Sequence, residues 1–269
     1  MIQIKQIDTI DDYYNMINDQ PYRPDLGRYR SLNVYRGMPR DYKLETSLER
    51  NCGDKSDFLE DKIIENFMKY ALEENPTISQ SIWRQLILGQ HHGLPTRLLD
   101  WTRSPLVAAH FATSEDDLAQ MQEHDCVIWR IDLEELDMLL PEHYKAVCKR
   151  RGVDVFTFAM LEEAGCNDLA QYDRDMGDHA MVVAEPPSID PRIVNQYSFV
   201  AMVPRGIRDI EKFFDTYTDN TVKYVINKKL RWQIRDTLDE SNMSERMIYP
   251  GLDGISRWIA RHYYVRRDI

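Results

Sequence analysis

The sequence predicts an α+β fold, and three observations lead to this prediction. Short runs of apolar and aromatic residues, of the length of buried strands, alternate with segments in which apolar residues recur every three or four positions. Apolar residues make up 43% of the 269 residues, which is enough for a buried core. The two kinds of segment alternate too closely for a clean boundary. We therefore predict one domain over residues 1–269, with residues 1–30 as an N-terminal extension packed on it.

The N-terminal third is predicted to contain a strand, a short helix up to residue 17, a loop, a second strand and two longer helices. Residues 1–10 alternate apolar and polar side chains, as a short edge strand does, and Thr9 offers an N-cap for a following helix. Residues 19–30 are expected to be a polar loop, and residues 31–38 a buried strand. The helical segments in this part are 57–72 and 82–88.

The rest of the chain repeats these patterns. Residues 134–177 and 228–238 have helical patterns, and a last helix is expected within residues 244–259. The predicted strands are residues 125–133, 181–187, 199–204 and 223–226.

The composition narrows the class of protein. The net charge of −11 argues against non-specific binding to nucleic acid, although a local basic groove stays open. There is no charged start followed by an apolar run, and no apolar run approaches the ~20 residues that span a bilayer. The cysteines form no C-x-x-C pair, which favours free thiols over a zinc site. We expect a soluble cytoplasmic protein, without a metal and without a membrane partner.

One stretch, residues 90–112, combines features that a plain loop or a plain core segment does not need. It holds three His, two Arg, an Asp and several hydroxyls next to buried-type residues such as Trp101. Polar groups held on a buried frame are typical of a ligand site. At its end, Ser104 and Pro105 give the N-cap and first position of a helix, whose free amides form a natural seat for an anion.

Arg36 and Gly37 end a predicted core strand, where an unpaired charge is costly. Either Arg36 forms a salt bridge, with Asp100 for example, or it binds a ligand. Gly37 lets a ligand or another backbone approach closely.

Arg97 and Asp100 also have two interpretations. They can form a bidentate pair within a turn, or Arg97 can bind a phosphate while Asp100 orients a His or a sugar hydroxyl. His91 is the candidate for acid–base chemistry, although a lone His more often only hydrogen-bonds a carbonyl.

The Tyr35-Arg36-Gly37 triplet and the string His-x-Gly-Leu-Pro-Thr-Arg-Leu-Leu-Asp-Trp-Thr at 91–102 resemble the FRG domain family. The resemblance continues through Glu185-Pro186-Pro187, Asp190-Pro191-Arg192-Ile193, Gln196 and Phe199 to residues 249–254. It therefore extends from about residue 32 to about residue 259.

A second resemblance, at the level of the fold, is to mono-ADP-ribosyltransferases of the Arg-Ser-Glu type. Arg36-Gly37, then Thr102-x-Ser104 before an Ala-rich helix, then Gln196 follow in the order of that family's motifs. The resemblance implies a split, mostly antiparallel sheet flanked by helices. It also implies that NAD is the substrate, with Arg36 on its pyrophosphate or ribose and with Thr102 and Ser104 on the nicotinamide ribose.

Gln196 stands where that family has a catalytic Glu, and an amide carries no charge. Asp100 or Glu185 would then have to supply the charge, while Arg192 is a further residue for the same cleft.

Three functions follow as expectations. The first is an ADP-ribosyltransferase-like or NAD-cleaving toxin or anti-phage effector, which transfers to a protein or nucleic-acid acceptor. The second is a non-catalytic module for a phosphorylated ligand or nucleic acid. The third is a phosphoester hydrolase that uses His91 and Asp100.

Overall fold

The computed structural model describes residues 1–74 and 81–266. Within these residues an eight-stranded sheet has the order β1-β10-β6-β4-β5-β9-β8-β7, and β2 pairs with β3 in a separate hairpin. The strands are β1 (Gln3–Ile7), β2 (Tyr22–Arg23), β3 (Arg28–Tyr29), β4 (Asn33–Met38), β5 (Leu98–Thr102), β6 (Cys126–Asp132), β7 (Phe156–Thr157), β8 (Val182–Glu185), β9 (Ser198–Met202) and β10 (Val222–Ile226).

The helices fill the connections between these strands. They are α1 (Ile10–Ile17), α2 (Ser47–Cys52), α3 (Ser56–Glu74), α4 (Ile82–His91), α5 (Pro105–Ala112), α6 (Leu133–Leu139), α7 (Glu142–Arg151), α8 (Phe158–Glu163), α9 (Leu169–Met176), α10 (Pro191–Asn195), α11 (Ile210–Tyr217), α12 (Arg231–Glu240), α13 (Glu245–Ile248) and α14 (Leu252–His262).

The sheet is mostly antiparallel, as the sequence analysis predicts. Only the edge pairs β1–β10 and β7–β8 are parallel. The central pair, β4 and β5, is joined at a single position, Tyr35 opposite Thr102. Elsewhere in the sheet, β4 pairs with β6 over six positions and β5 with β9 over five. The sheet therefore has two well-paired halves that meet at one weak junction.

Helices cover both faces of this sheet, but one face is covered in two separate parts. One hydrophobic cluster joins α6 and α11 to residues such as Leu99, Trp101 and Val183. On the opposite face, α3, α4, α7, α8 and α9 pack over the β5-β9-β8 half, around Leu98 and Val200. Helices α1, α5, α12 and α13 form a third cluster over the other half. A cleft can open between these two parts, above the junction of β4 and β5.

The N-terminal predictions are confirmed, except for the loop. Strand β1 lies at the edge of the sheet, and the Thr9 side chain accepts a hydrogen bond from the Asp12 amide as the N-cap of α1. The segment 19–30, predicted to be a loop, contains the β2–β3 hairpin instead. Tyr22 and Tyr29 pack edge to face across it, with ring centroids 5.2 Å apart. Cross-strand aromatic pairs stabilise hairpins, so the two tyrosines are the feature of the sequence that indicates this hairpin.

At Gly37, the backbone of α5 lies close against β4. A Cβ atom placed on Gly37 would lie 1.8 Å from the Ala108 carbonyl oxygen and 2.7 Å from the Ala112 amide nitrogen. The sequence left open whether Gly37 admits a ligand or another backbone. On the side of β4 that faces α5, it admits the helix backbone.

We expect Gly37→Ala to destabilise the fold, because both clashing groups are helix backbone and cannot move separately. Overpacking of this kind costs about 1–3 kcal/mol. Chemical denaturation would measure the loss, with Gly37→Ser expected to be at least as damaging. An unchanged free energy of unfolding in Gly37→Ala would contradict this packing.

Candidate functional site

A cavity of about 270 Å³ lies at the weak junction between β4 and β5. It is the cleft expected between the two helical layers, and its volume is near the lower end of the ~300–1,000 Å³ that is usual for ligand pockets. Its lining combines aromatic, basic and polar side chains: Tyr35, Arg36, Gly37, Asp100, Trp101, Thr102, Phe111, Arg192, Gln196 and Ser198.

Arg36 crosses the gap between the two strands. Its Nη1 donates a 2.6 Å hydrogen bond to the backbone carbonyl of Asp100, not to the carboxylate, so the predicted alternative of a salt bridge is wrong. Its Nε is buried and has no hydrogen-bond partner among residues 1–74 and 81–266. Burial lowers the pKa of Arg36; the charge of Asp100 opposes this effect and that of Arg50 adds to it. An anion in the cleft would relieve the cost of this buried cation.

Arg192 supplies a second guanidinium to the same cavity. Its carbon Cζ lies 5.2 Å from the centre of the Tyr249 ring, a cation–π contact that fixes the side chain. Its Nε is also buried without a hydrogen-bond partner in the described part of the chain. Two guanidinium groups with unused donors therefore line one cavity.

Gln196 lies in the cleft, but its side chain is engaged by the protein. Its Nε2 donates to the Ile248 carbonyl at 3.2 Å, and the neighbouring Asn195 Nδ2 donates to the Met247 carbonyl at 2.7 Å. These bonds fasten α10 to α13. The next residue, Tyr197, has a left-handed φ of 48°, which costs a non-glycine residue about 1–3 kcal/mol and must be held by its surroundings.

Of the two hydroxyl residues predicted to bind the ligand, Thr102 and Ser104, only the first lines the cavity. Thr102 lines the cavity and donates a 2.6 Å hydrogen bond to the Gln196 carbonyl. Ser104 does not line it, because its hydroxyl caps α5 by accepting from the Val107 amide at 3.3 Å. The amide of Ser104 itself donates to Thr102 Oγ1. The start of α5 is thus satisfied locally and does not line the cavity, so the prediction of an anion seat there is not supported.

Asp100 lies at the centre of the site, where a chain of hydrogen bonds orients it. Thr96 Oγ1 donates to Gln90 Oε1, which leaves Gln90 Nε2 to donate to Asp100 Oδ1 at 2.6 Å. Among the described residues, Asp100 is the only carboxylate that lines this cavity and also a smaller one of about 120 Å³ beside it. Sequence reasoning passed over Gln90, although it opens the stretch that was singled out.

Arg97 does not join the cleft, and the predicted Arg97–Asp100 pair is wrong. Its Nε donates to Glu60 Oε1 and its Nη1 to Asp173 Oδ1, each at 2.6 Å. The prediction assumed a turn, whereas Leu98–Thr102 is a strand. In extended chain, residues three apart point to opposite faces of a sheet, so Arg97 faces away from Asp100.

Glu185 is excluded from the cleft by the same alternation. Its neighbours Ala184 and Val182 pack with Leu98 in one cluster, whereas Val183 packs with Trp101 on the opposite face. Glu185 is exposed and does not line either cavity of the cleft. Asp100 is therefore the remaining candidate for the charge that Gln196 lacks.

The cavity of about 290 Å³ between α5 and α12–α14 is larger than the cleft, but three carboxylates, Glu115, Asp116 and Glu245, line it beside its arginines. Arg235 contacts Glu245, and Arg261 contacts both Glu245 and Asp239. His110, which lines it, is buried, and this burial lowers its pKa to about 3. Arg235 Nε and His110 Nε2 are buried without a partner among the described residues, as in the cleft. The three carboxylates of this cavity nevertheless disfavour an anion, whereas Asp100 is the one carboxylate among the described residues that line the β4–β5 cleft. The cleft is therefore the better candidate for an anionic ligand.

Residues 31–121, which include Arg36, Asp100 and Thr102, match the model of the FRG domain. The chain contains an FRG domain. The match ends well before Arg192 and Gln196, so the resemblance noted in residues 185–254 lies outside the matched part of the chain. No curated protein and no solved structure gives a significant match.

Three further findings concern the residues that the structure describes. None of their His, Cys, Asp and Glu side chains form a group of three or more that could hold a metal ion. No helix among them is long and apolar enough to cross a membrane. Cys52, Cys126, Cys148 and Cys166 are free thiols in this structure.

Proposed function

We propose that the cleft between β4 and β5 binds a phosphorylated nucleotide-type ligand such as NAD, and that the protein acts on it as an ADP-ribosyltransferase-like enzyme. One observation carries the proposal. Arg36 and Arg192 both line one cavity, and the Nε of each is buried without a partner among the described residues. Planar guanidinium groups bind phosphate oxygens through paired, charge-assisted hydrogen bonds.

The other lining residues suit the rest of a nucleotide. Phe111 offers aromatic surface for a base, and Thr102 Oγ1 and the Asp100 carboxylate offer polar atoms for a ribose. Asp100 is also the carboxylate that would stabilise positive charge developing on the ribose when the bond to nicotinamide breaks. The order of Arg36, Thr102 and Gln196 along the chain adds the resemblance to mono-ADP-ribosyltransferases.

Binding can be tested by isothermal titration calorimetry with NAD, ADP-ribose and nicotinamide. We expect NAD and ADP-ribose to bind and nicotinamide alone to bind much more weakly, because the phosphates contribute most of the charge complementarity. Equal binding of nicotinamide would contradict a site selected for phosphate.

Arg192→Ala is expected to weaken ADP-ribose binding by about 10- to 100-fold, because hydrogen bonds to charged groups contribute about 1.5–3 kcal/mol. Arg174→Ala is the matched control: Arg174 is exposed on α9 and lines neither cavity of the cleft. A similar loss in both variants would show a general effect of charge and would contradict the assigned role of Arg192.

Gln196 favours a second candidate function, a module that binds the same ligand without chemistry. An amide engaged with the Ile248 carbonyl offers no charge to the reaction. The two functions differ in one measurement: the module would bind NAD and release no nicotinamide.

The proposed role of the enzyme is that of a toxin or anti-phage effector that consumes NAD or modifies a macromolecular acceptor. Its expression in a bacterial host should then lower cellular NAD or label an acceptor, and Arg36→Gln should abolish both effects. Normal NAD levels and no labelled acceptor in cells expressing the unchanged protein would remove this role.

A further inference from the structure

The smaller cavity beside the main cleft continues the same site. It has a volume of about 120 Å³ and shares Asp100, Arg192, Gln196 and Ser198 with the main cavity. Its far end is lined by His91 and Gln90 from α4. A ligand with its phosphates at Arg36 and Arg192 would therefore have this small space next to it.

His91 is held in this space by Asp190. The distance from His91 Nε2 to Asp190 Oδ2 is 3.2 Å. The other oxygen of Asp190, Oδ1, accepts from the Arg192 amide at 2.7 Å as the N-cap of α10, so the carboxylate is itself fixed. A neutral imidazole that donates from Nε2 to a carboxylate has its lone pair on Nδ1. A carboxylate–imidazole pair of this kind also stabilises the imidazolium after it takes a proton.

We propose that His91, oriented by Asp190, is the general base that activates a water molecule for hydrolysis of the N-glycosidic bond of the bound nucleotide. This inference rests on the proposed function, and it names water as the acceptor. The water oxygen bonds to C1′ of the ribose while the bond from C1′ to the nicotinamide nitrogen breaks. The bonding electrons leave with neutral nicotinamide, and the proton of the water passes to His91 Nδ1. Asp100, which lines both cavities, faces the developing positive charge on the ribose.

The size of the small cavity favours water over a large acceptor. A water molecule occupies ~30 Å³ of liquid volume, so a space of about 120 Å³ holds a few waters or one small alcohol. Its volume is less than half that of the main cavity, so a small acceptor fits it better than a second nucleotide does. The products are therefore expected to be ADP-ribose and nicotinamide.

The test measures nicotinamide release and NAD binding separately in the full chain. General bases contribute roughly 10²- to 10⁴-fold to rate, so His91→Gln should lower nicotinamide release by that factor with the Kd for NAD unchanged. The side chain of Gln can still donate to Asp190 but cannot take the proton. In His91→Ala, added imidazole should restore part of the lost rate.

His143→Gln is the matched control, because His143 also faces a carboxylate, Asp175, at 3.6 Å, but lines neither cavity of the cleft. It should retain the full rate. Full activity in His91→Gln would overturn the role of His91, and transfer of labelled ADP-ribose to protein in place of free ADP-ribose would overturn water as the acceptor.

Binding of NAD by the unchanged protein without nicotinamide release would overturn this inference and leave the binding proposal intact. Absence of NAD binding would overturn both.

Discussion

Glu60→Gln is expected to lower the free energy of unfolding by about 3 kcal/mol, the lower end of the cost of breaking a buried ion pair. The Glu60 side chain is only 1% exposed, and it faces Arg97 and Arg205. Burial alone would lower the pKa of Arg97, but the hydrogen bonds and charges of Glu60 and Asp173 outweigh this effect and raise it. In the Gln variant, Arg97 would still contact the Asp173 carboxylate. We therefore expect a loss of stability at the lower end of the range for a broken buried ion pair.

Glu163→Gln is the matched control for this variant. Glu163 also faces two arginines, Arg150 and Arg151, but its side chain is 28% exposed and water can replace the lost contacts. Urea denaturation of both variants would measure the difference. Equal losses of stability would contradict the account of a buried ion cluster that joins β5 to α3 and α9.

Arg36→Gln is expected to weaken binding of ADP-ribose by about 100-fold or more, since hydrogen bonds to charged groups contribute about 1.5–3 kcal/mol each and Arg36 can donate several. Gln removes the charge while keeping a donor for the Asp100 carbonyl that Arg36 contacts at 2.6 Å. The junction between β4 and β5 should therefore survive, and the thermal midpoint checks that it does.

Arg36→Lys separates charge from geometry in the same experiment. Lys keeps the positive charge but loses the planar fork, so we expect binding between that of the unchanged protein and that of Arg36→Gln. Calorimetry on the three proteins gives the order. Unchanged affinity in Arg36→Gln, with the fold intact, would exclude Arg36 from the ligand site.

Much of the fold was accessible from the sequence because local patterns dominate it. The Thr9 and Ser104 caps, the buried strand that ends at Arg36-Gly37, and the mostly antiparallel sheet all agree with the structure. The alternation of buried and exposed side chains depends on neighbouring residues, and so does the capping of a helix. Both can therefore be recognised in a single sequence. The β2–β3 hairpin was missed, since polar residues obscure its tyrosine pair.

The site was predicted in part, and its errors have two causes, the face that a strand residue takes and partners that are distant in the chain. Arg36, Thr102, Asp100 and Arg192 meet in one cavity, but Arg97 and Glu185 do not. Which face of a strand a residue takes depends on where the strand begins, and a shift by one residue reverses it. The partners of Arg97, Glu60 and Asp173, lie 37 and 76 positions away along the chain, beyond any local pattern.

A crystal structure of the protein with bound ADP-ribose tests the central claim most directly. We expect its phosphate oxygens within hydrogen-bond distance of the guanidinium groups of Arg36 and Arg192, in the opening between β4 and β5. Density for the ligand in the cavity lined by His110 and Arg235, with the β4–β5 opening holding only solvent, would contradict the account.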